Sequence, residues 1–316
     1  MNLNCVSISL GSSKRDKFVT IDLPNNYTVN IFRIGVDGDI LVAEKIIQKL
    51  QDEEVDAIGL GGIDLILYID NQEFVVQDAK RLYDKSTKIP VVDGSISKKI
   101  LESQIVGNLI QKELLRNKVL LLSSLDRFEI LKVLVNSNFQ VLIGDLVFAL
   151  NVGKLIKNIE ELKFFASFLL DDVLNLPFNF IYPIGKEQEK NNELSAELSK
   201  VIQEEDIGSI IGDFHYLKKM SHLLMGKIVV TNTLTQEDIE ALRRKGVKRL
   251  ITTGIFIDNR SFGANITDAI FAAYCRRIKK LKISPFGFED RSLFFEFLHD
   301  FLGLREIKGN VVFEVK

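Results

Sequence analysis

The sequence predicts an α/β protein of two domains: an N-terminal mixed-sheet α/β domain and a C-terminal Rossmann-like doubly wound parallel sheet. Three observations predict it. The chain has 316 residues, which is long for one ordinary core and suits two. Its second half repeats short apolar runs, such as Val119-Leu120-Leu121-Leu122 and Ile228-Val229-Val230, with helical pattern between them. Such continuous runs mark strands buried on both faces. Its first half instead mixes alternating strands, hairpins and helices, the content of a mixed sheet.

The elements follow in order. Val6 to Leu10, Phe18 to Ile21 and Tyr27 to Ile34 read as strands. Asp39 caps a helix from about Ile40 to Leu50, with apolar positions at Leu41, Ala43, Ile46, Ile47 and Leu50. Asp56 to Leu60 is a short buried strand ending in Gly61-Gly62. Ile63 to Ile69 and Glu73 to Val76 flank Asp70-Asn71-Gln72 as a hairpin. A helix from Asp78, the strand Pro90 to Val92 and a helix from about Ser97 to Leu115 complete residues 1–115, the expected substrate domain.

Six strands, at about 118–123, 140–145, 178–183, 208–213, 227–232 and 248–253, are expected within a nucleotide-binding domain of residues 116–282. Lys186 to Asp206 reads as an exposed amphipathic helix. Residues 283–316 hold a Phe-rich helix, Asp290 to Leu302, and a strand, Val311 to Val315, which pack back on the body. Core packing is the first reading of that Phe-rich helix, and a homodimer interface is the alternative.

Bulk properties exclude several classes. Hydrophobic residues make up 46%, too many for a disordered chain. A formal charge of −2 supplies no field to attract nucleic acid. Cys5 and Cys275 alone form neither a disulfide framework nor a metal cluster, so no metal is expected. With no signal-peptide pattern and no membrane span, the expected place is the cytoplasm and the expected partner a small-molecule substrate.

The strongest chemical signal is the strand–turn–helix–strand at 119–145. Ser123-Ser124-Leu125-Asp126-Arg127 forms the turn, and Asp145 ends the next strand about twenty residues on, where a dinucleotide site places its ribose ligand. Backbone N–H groups at the helix start would hold phosphate. The turn lacks the glycines of a G-x-G-x-x-G fingerprint, and capping of the helix by Ser123, Ser124 and Asp126 is the plainer reading. Asp145 favours NAD, while Arg127 leaves NADP open.

Other strand ends are polar too. Asp213 and His215, then Thr231 and Asn232, then Thr252 and Gly254 converge on one sheet edge, where open α/β sheets bind ligands. His215 is the candidate proton-transfer histidine. Arg260 and Asn265 sit in a loop suited to clamping a substrate anion. In the first half, Ser12, Ser13 and Lys14 suit an anion, and Asp64 lies in an acidic, glycine-containing loop. Asp93 with Lys98 is the candidate acid–base pair for a substrate hydroxyl.

G-S-S-K-R-D at 11–16, D-G-D at 37–39, A-I-G-L-G-G-I-D-L at 57–65, P-V-V-D-G-S at 90–95 and R-S-F-G-A-N at 260–265 together resemble bacterial proteins labelled quinate or shikimate 5-dehydrogenase. The resemblance implies a substrate domain, a crevice and a nucleotide domain, with NAD or NADP as cofactor and a quinate- or shikimate-like substrate. The family's N-V-T-x-P-x-K motif is absent from residues 1–115, so no catalytic pair is carried over.

The leading expectation is an NAD(P)-dependent oxidoreductase acting on a small hydroxylated or carboxylated metabolite. Two alternatives stand beside it: a non-redox enzyme, and a ligand-binding regulatory protein using the crevice for a phosphorylated ligand.

Overall fold

The computed structural model describes residues 1–177, 180, 193–257, 260–304 and 310–315. Two sheets organise the chain. The first contains β1 (Asn2–Ser9), β2 (Lys17–Leu23), β3 (Tyr27–Gly35), β4 (Ala57–Gly61) and, after the β5 (Ile66–Ile69) and β6 (Gln72–Val75) hairpin, β7 (Val91–Val92). Their order is β2-β3-β1-β4-β7. β3, β1, β4 and β7 run parallel, and β2 is an antiparallel edge on β3. Asp39 caps the helix Ile40–Leu50 by accepting from the Val42 N–H, as its position predicts.

The second sheet contains β8 (Lys118–Leu121), β9 (Gln140–Ile143), β10 (Ser209–Ile211), β11 (Ile228–Thr231) and β12 (Arg249–Thr252). A small hairpin follows, β13 (Phe256–Ile257) with β14 (Arg260–Ser261), and then β15 (Asn310–Glu314). The sheet order is β15-β12-β11-β10-β8-β9. β15 pairs antiparallel with β12, so the C-terminal strand supplies the sixth position. The strand expected at 178–183 falls, but for Phe180, outside the described residues, as do residues 186–192 of the expected amphipathic helix. The described part of that helix, Ala196–Gln203, buries Leu198 and Ile202.

This order corrects the Rossmann expectation. A Rossmann sheet runs 3-2-1-4-5-6, whereas the parallel strands here run second, first, third, fourth, fifth. The first sheet's parallel strands follow the same rule, with β1 between β3 and β4. Each sheet therefore has a switch point beside its own first strand, where a crevice opens at the carboxyl ends.

Burial explains the apolar runs. Val119, Leu121, Ile143, Ile211, Val230 and Ile251 pack into one core, and Leu120, Leu142, Ile210, Val229 and Leu250 into another. Successive side chains point to opposite faces, and here both faces are covered.

The division at residue 282 needs correction. The helix Ala264–Tyr274 is buried along nearly its whole length and packs on β1, β4 and β7. Its start presses on the first sheet so closely that a Cβ on Gly59 would lie 2.4 Å from the Asn265 carbonyl oxygen. The Phe-rich segment packs on this same helix: Phe271 lies 4.9 Å from Phe294 and 5.2 Å from Phe297 between ring centroids. Residues 264–301 thus complete the first lobe, and the chain then returns to the second sheet as β15.

A helix over 95–111 carries the chain from β7 towards β8, with a π turn at Lys98–Glu102. Among the described residues no helix is long and apolar enough to cross a membrane.

Candidate functional site

The carboxyl ends of the two sheets face one cavity of about 200 Å³. From the first lobe come Ser9 of β1, Gly61 and Gly62 after β4, and Asp64. From the second come Ser123 after β8, Asp213 and His215 after β10, and Asn232 after β11. Both switch points open into the same space, which is where the fold predicts a ligand.

One wall is cationic. Arg15, Arg33 and Arg260 all line the cavity. Arg15 ends a short 3₁₀ turn, Ser13–Arg15, that Ser12 caps by accepting from the Lys14 N–H. Its Nη2 reaches Asp238 Oδ2 at 3.3 Å. Arg33 follows Val29 and Ile31 on the buried face of β3. It donates to Asp16 Oδ1 at 2.8 Å, to the Ser12 carbonyl at 3.0 Å and to Ser9 Oγ at 3.1 Å. Arg260 on β14 donates only a long bond, 3.4 Å, to the Arg15 carbonyl. Its Nε is buried without a hydrogen-bond partner, and among the described residues no carboxylate lies within ion-pair distance of it.

Two carboxylates, Asp16 and Asp238, thus serve three guanidinium groups. The electrostatics follow. Burial, reinforced by Arg15 and Arg260 against the pull of Asp16, brings Arg33 down to about 10. Burial and Arg15 lower Arg260 as well, with Asp238 opposing. Mutual repulsion among partly desolvated cations is relieved by an added anion.

The opposite side is neutralised. Lys98 Nζ lies between Asp64 Oδ1 and Asp126 Oδ2, the latter at 2.9 Å. Arg127 pairs with Asp126 and, at 2.9 Å, with Glu102, which also accepts from Thr253 Oγ1 at 3.1 Å. Lys98 and Glu102, one helical turn apart, both reach the second lobe. Burial opposes the charge on Lys98, but Asp126 and Asp64 hold its pKa well above the ordinary lysine value. Burial alone would raise Asp126, yet Arg127 and Lys98 keep it low. The group is a charged brace between the lobes, in which Asp126 Oδ1 and Arg127 Nη2 are nevertheless buried without a hydrogen-bond partner among the described residues.

This arrangement corrects several expectations. The expected pair of Lys98 with Asp93 does not form. Asp93 instead accepts from the Leu65 N–H at 2.7 Å and the Ser95 N–H at 3.2 Å, and so ties together two turns. Arg127 is enclosed by Glu102 and Asp126 and does not line the cavity. The Ser123–Arg127 turn cannot cradle phosphate, because Asp145 fills it. The Asp145 carboxylate accepts from the Ser124 N–H at 2.9 Å and the Leu125 N–H at 3.2 Å. Burial pushes this carboxyl up to about 6 against those donors. Asp145 has therefore taken both the phosphate's place and its own ribose-binding capacity.

Thr252 and Gly254 are buried in a hydrogen-bonded turn, where Thr252 Oγ1 donates to the Asn232 carbonyl and accepts from the Gly254 N–H. Neither they nor Thr231 line the cavity. Ser12, Ser13 and Lys14 do not line it either; Ser13 bonds Asp37 instead. Asp64, Asp93, Lys98, Ser123, Asp126, Asp145, His215, Asn232, Arg260 and Asn265 do line it. Burial, with Asp213 opposing, takes His215 down to about 4, so its ring is neutral near pH 7 and cannot act there as a general acid.

The sequence reading takes Arg15 only as one of two cations in the 11–16 loop and misses Arg33. An arginine on the apolar face of β3 was the available signal. The segment from Phe164 to Tyr182 reads as a buried helix followed by a strand, but nothing in that reading places Phe165, Leu169 and Leu170 of the helix Ile159–Asn175 along a second, apolar wall.

Two families match the chain. "Domain of unknown function (DUF8754)" covers residues 97–284, and "Domain of unknown function (DUF8753)" covers residues 4–93. No curated protein matches. Similar solved structures include an ABC transporter solute-binding protein from Burkholderia multivorans, 12% identical over 87% of this chain and 93% of that chain, TM-score 0.38. A carbohydrate transporter from Acidothermus cellulolyticus in complex with myo-inositol is 9% identical over 94% and 97%, TM-score 0.38. A solute-binding protein from Agrobacterium vitis with bound D-fucose is 10% identical over 79% and 83%, TM-score 0.33.

These three are titled as transport or solute-binding proteins, not dehydrogenases, and TM-scores below 0.5 do not carry a function across. The cleft itself corrects the expected NAD(P)-dependent oxidoreductase. Its expected nucleotide turn is occupied by the Asp145 carboxylate.

Proposed function

This chain belongs to the DUF8754 family, a domain of unknown function, and we propose that it binds a small oxyanion-bearing ligand, a carboxylate or phosphate, between its two lobes. The single observation that carries this reading is the arginine wall. Three guanidinium groups face one cavity, and among the described residues Arg260 has a buried, unbonded Nε and no carboxylate within ion-pair distance. A guanidinium fork matches the geometry of carboxylate and phosphate oxygens and forms strong charge-assisted bonds with them.

Binding rather than turnover is favoured by the state of the titratable groups. Lys98 and Arg127 are offset by Asp64, Asp126 and Glu102, Asp93 and Asp145 hold backbone N–H groups, and His215 stays neutral. A ligand entering the cleft meets a preorganised cationic wall, which costs little to organise. Arg15 and Arg33 come from the first lobe and Arg260 from the β13–β14 hairpin, so an anion would also pull these segments together.

The test is calorimetric titration of the full chain with inorganic phosphate, sulfate, acetate and NAD. The expected result is saturable binding of the small oxyanions that weakens as salt rises. Absence of binding by all three small anions would overturn the reading.

A further inference from the structure

We infer that the ligand is amphipathic: an oxyanion carrying a short apolar chain or ring, whose tail lies against the helix Ile159–Asn175. This inference rests on the oxyanion reading of the same cleft. It comes from the half of the cavity that the arginines do not touch. There Leu146 and Leu150 after β9 face Phe165, Leu169 and Leu170 of the helix, and Leu67 of the β5–β6 hairpin closes the far side.

The helix does not behave as a core element. Only Leu162, Leu170 and Leu174 are buried, although most of its residues are apolar. Phe165 is half-buried and Leu169 is 37% exposed, yet both line the cavity. Their apolar surface is covered on the protein side and open on the cavity side. An ion pair between Lys163 and Asp70, at 2.7 Å, ties the helix to the hairpin and holds this wall in place. The space is continuous with the arginine wall, so one molecule can occupy both.

A purely hydrophilic ligand would leave this wall wet. A tail that dries it gains about 0.8 kcal/mol for each buried methylene, a factor of about four in affinity.

The test titrates the full chain by calorimetry with inorganic phosphate and with methyl, butyl and hexyl phosphate. Affinity is expected to rise by about fourfold per methylene until the chain outgrows the cavity. Leu169→Asp is expected to flatten the series relative to inorganic phosphate, whose own binding the added carboxylate weakens by repulsion. Phe164→Ser, on the outer face where Phe164 is 59% exposed, is expected to leave the series intact. Phosphate binding with no dependence on chain length would overturn the tail while sparing the oxyanion site. A chain-length series that survives Leu169→Asp would also overturn it. Binding of none of the four, inorganic phosphate included, would overturn both. A series that persists at full strength in Arg260→Ala would support the tail and remove the head.

Discussion

The chain contains two places built like anion sites, and only one is open to a ligand. The Ser123–Arg127 turn sits at a strand end before a helix, with backbone N–H groups and an arginine at hand. The Arg15–Arg33–Arg260 wall is assembled from a 3₁₀ turn, a strand and a hairpin, without a recognisable motif. In the first, Asp145 accepts from the Ser124 and Leu125 N–H groups, and Arg127 is spent on Glu102 and Asp126. In the second, Arg260 has no carboxylate within reach among the described residues. The difference teaches that local form shows where an anion fits, while the partners supplied by the rest of the chain decide whether one is needed.

Breaking the satisfied side should cost stability. The largest effect is expected from Lys98→Met, which strands Asp64 beside an apolar tip and leaves Asp126 with Arg127 alone. Loss of one partner from a buried ion pair costs about 3–5 kcal/mol, to be read from urea unfolding. A smaller loss, about 2–3 kcal/mol, is expected for Asp145→Ala, because the Ser124 and Leu125 N–H groups lose their acceptor. If Asp145→Ala were instead neutral in urea, the turn would not depend on that carboxylate.

Breaking the open side should cost affinity instead. Arg260→Ala is expected to weaken phosphate binding by about 1.5–3 kcal/mol, the range for a charge-assisted bond. Its stability should change by no more than about 0.5 kcal/mol, as at an uncoupled site. A variant that unfolds in step with its lost affinity would make Arg260 structural.

The smallest expected effect is in pH. Sulfate, which does not titrate between pH 5 and 9, should bind more tightly as pH falls through about 6, because burial raises the Asp64 and Asp145 carboxyls that line the cavity to about 6 and their protonation removes negative charge. His215 lines the cavity, but burial places it at about 4, so it gains no charge as pH falls to 5. Arg33, at about 10, loses its charge as pH rises through that value, and affinity should fall there. A profile with no bend near 6 would contradict the raised carboxyls of Asp64 and Asp145.

Much of this was legible in the sequence. Asp39 and the helix it caps, the 66–75 hairpin and the apolar strands of the second half were readable from local pattern. So were Asp64, Asn232, His215, Arg260 and Asn265 as strand-end or loop residues near a crevice. The arginine wall was not legible, because its members are 18 and 227 residues apart and only the fold brings them together. Within G-S-S-K-R-D the motif draws attention to Lys14, but the 3₁₀ turn aims Arg15 at the cavity. Asp145 was placed correctly and given the wrong partner. Spacing locates a carboxylate at a turn, and it is the tertiary packing that decides whether a ribose or the turn's own N–H groups meets it. The sheet order likewise depends on which side each crossover takes, which the apolar runs do not encode.

The most direct test of the account sets Arg260→Ala beside Asp145→Ala in one phosphate titration at a temperature where both are folded. The account predicts that Arg260→Ala loses phosphate affinity while Asp145→Ala keeps it. The reverse pattern, with affinity lost in Asp145→Ala and retained in Arg260→Ala, would contradict it and return the anion site to the Ser123–Arg127 turn.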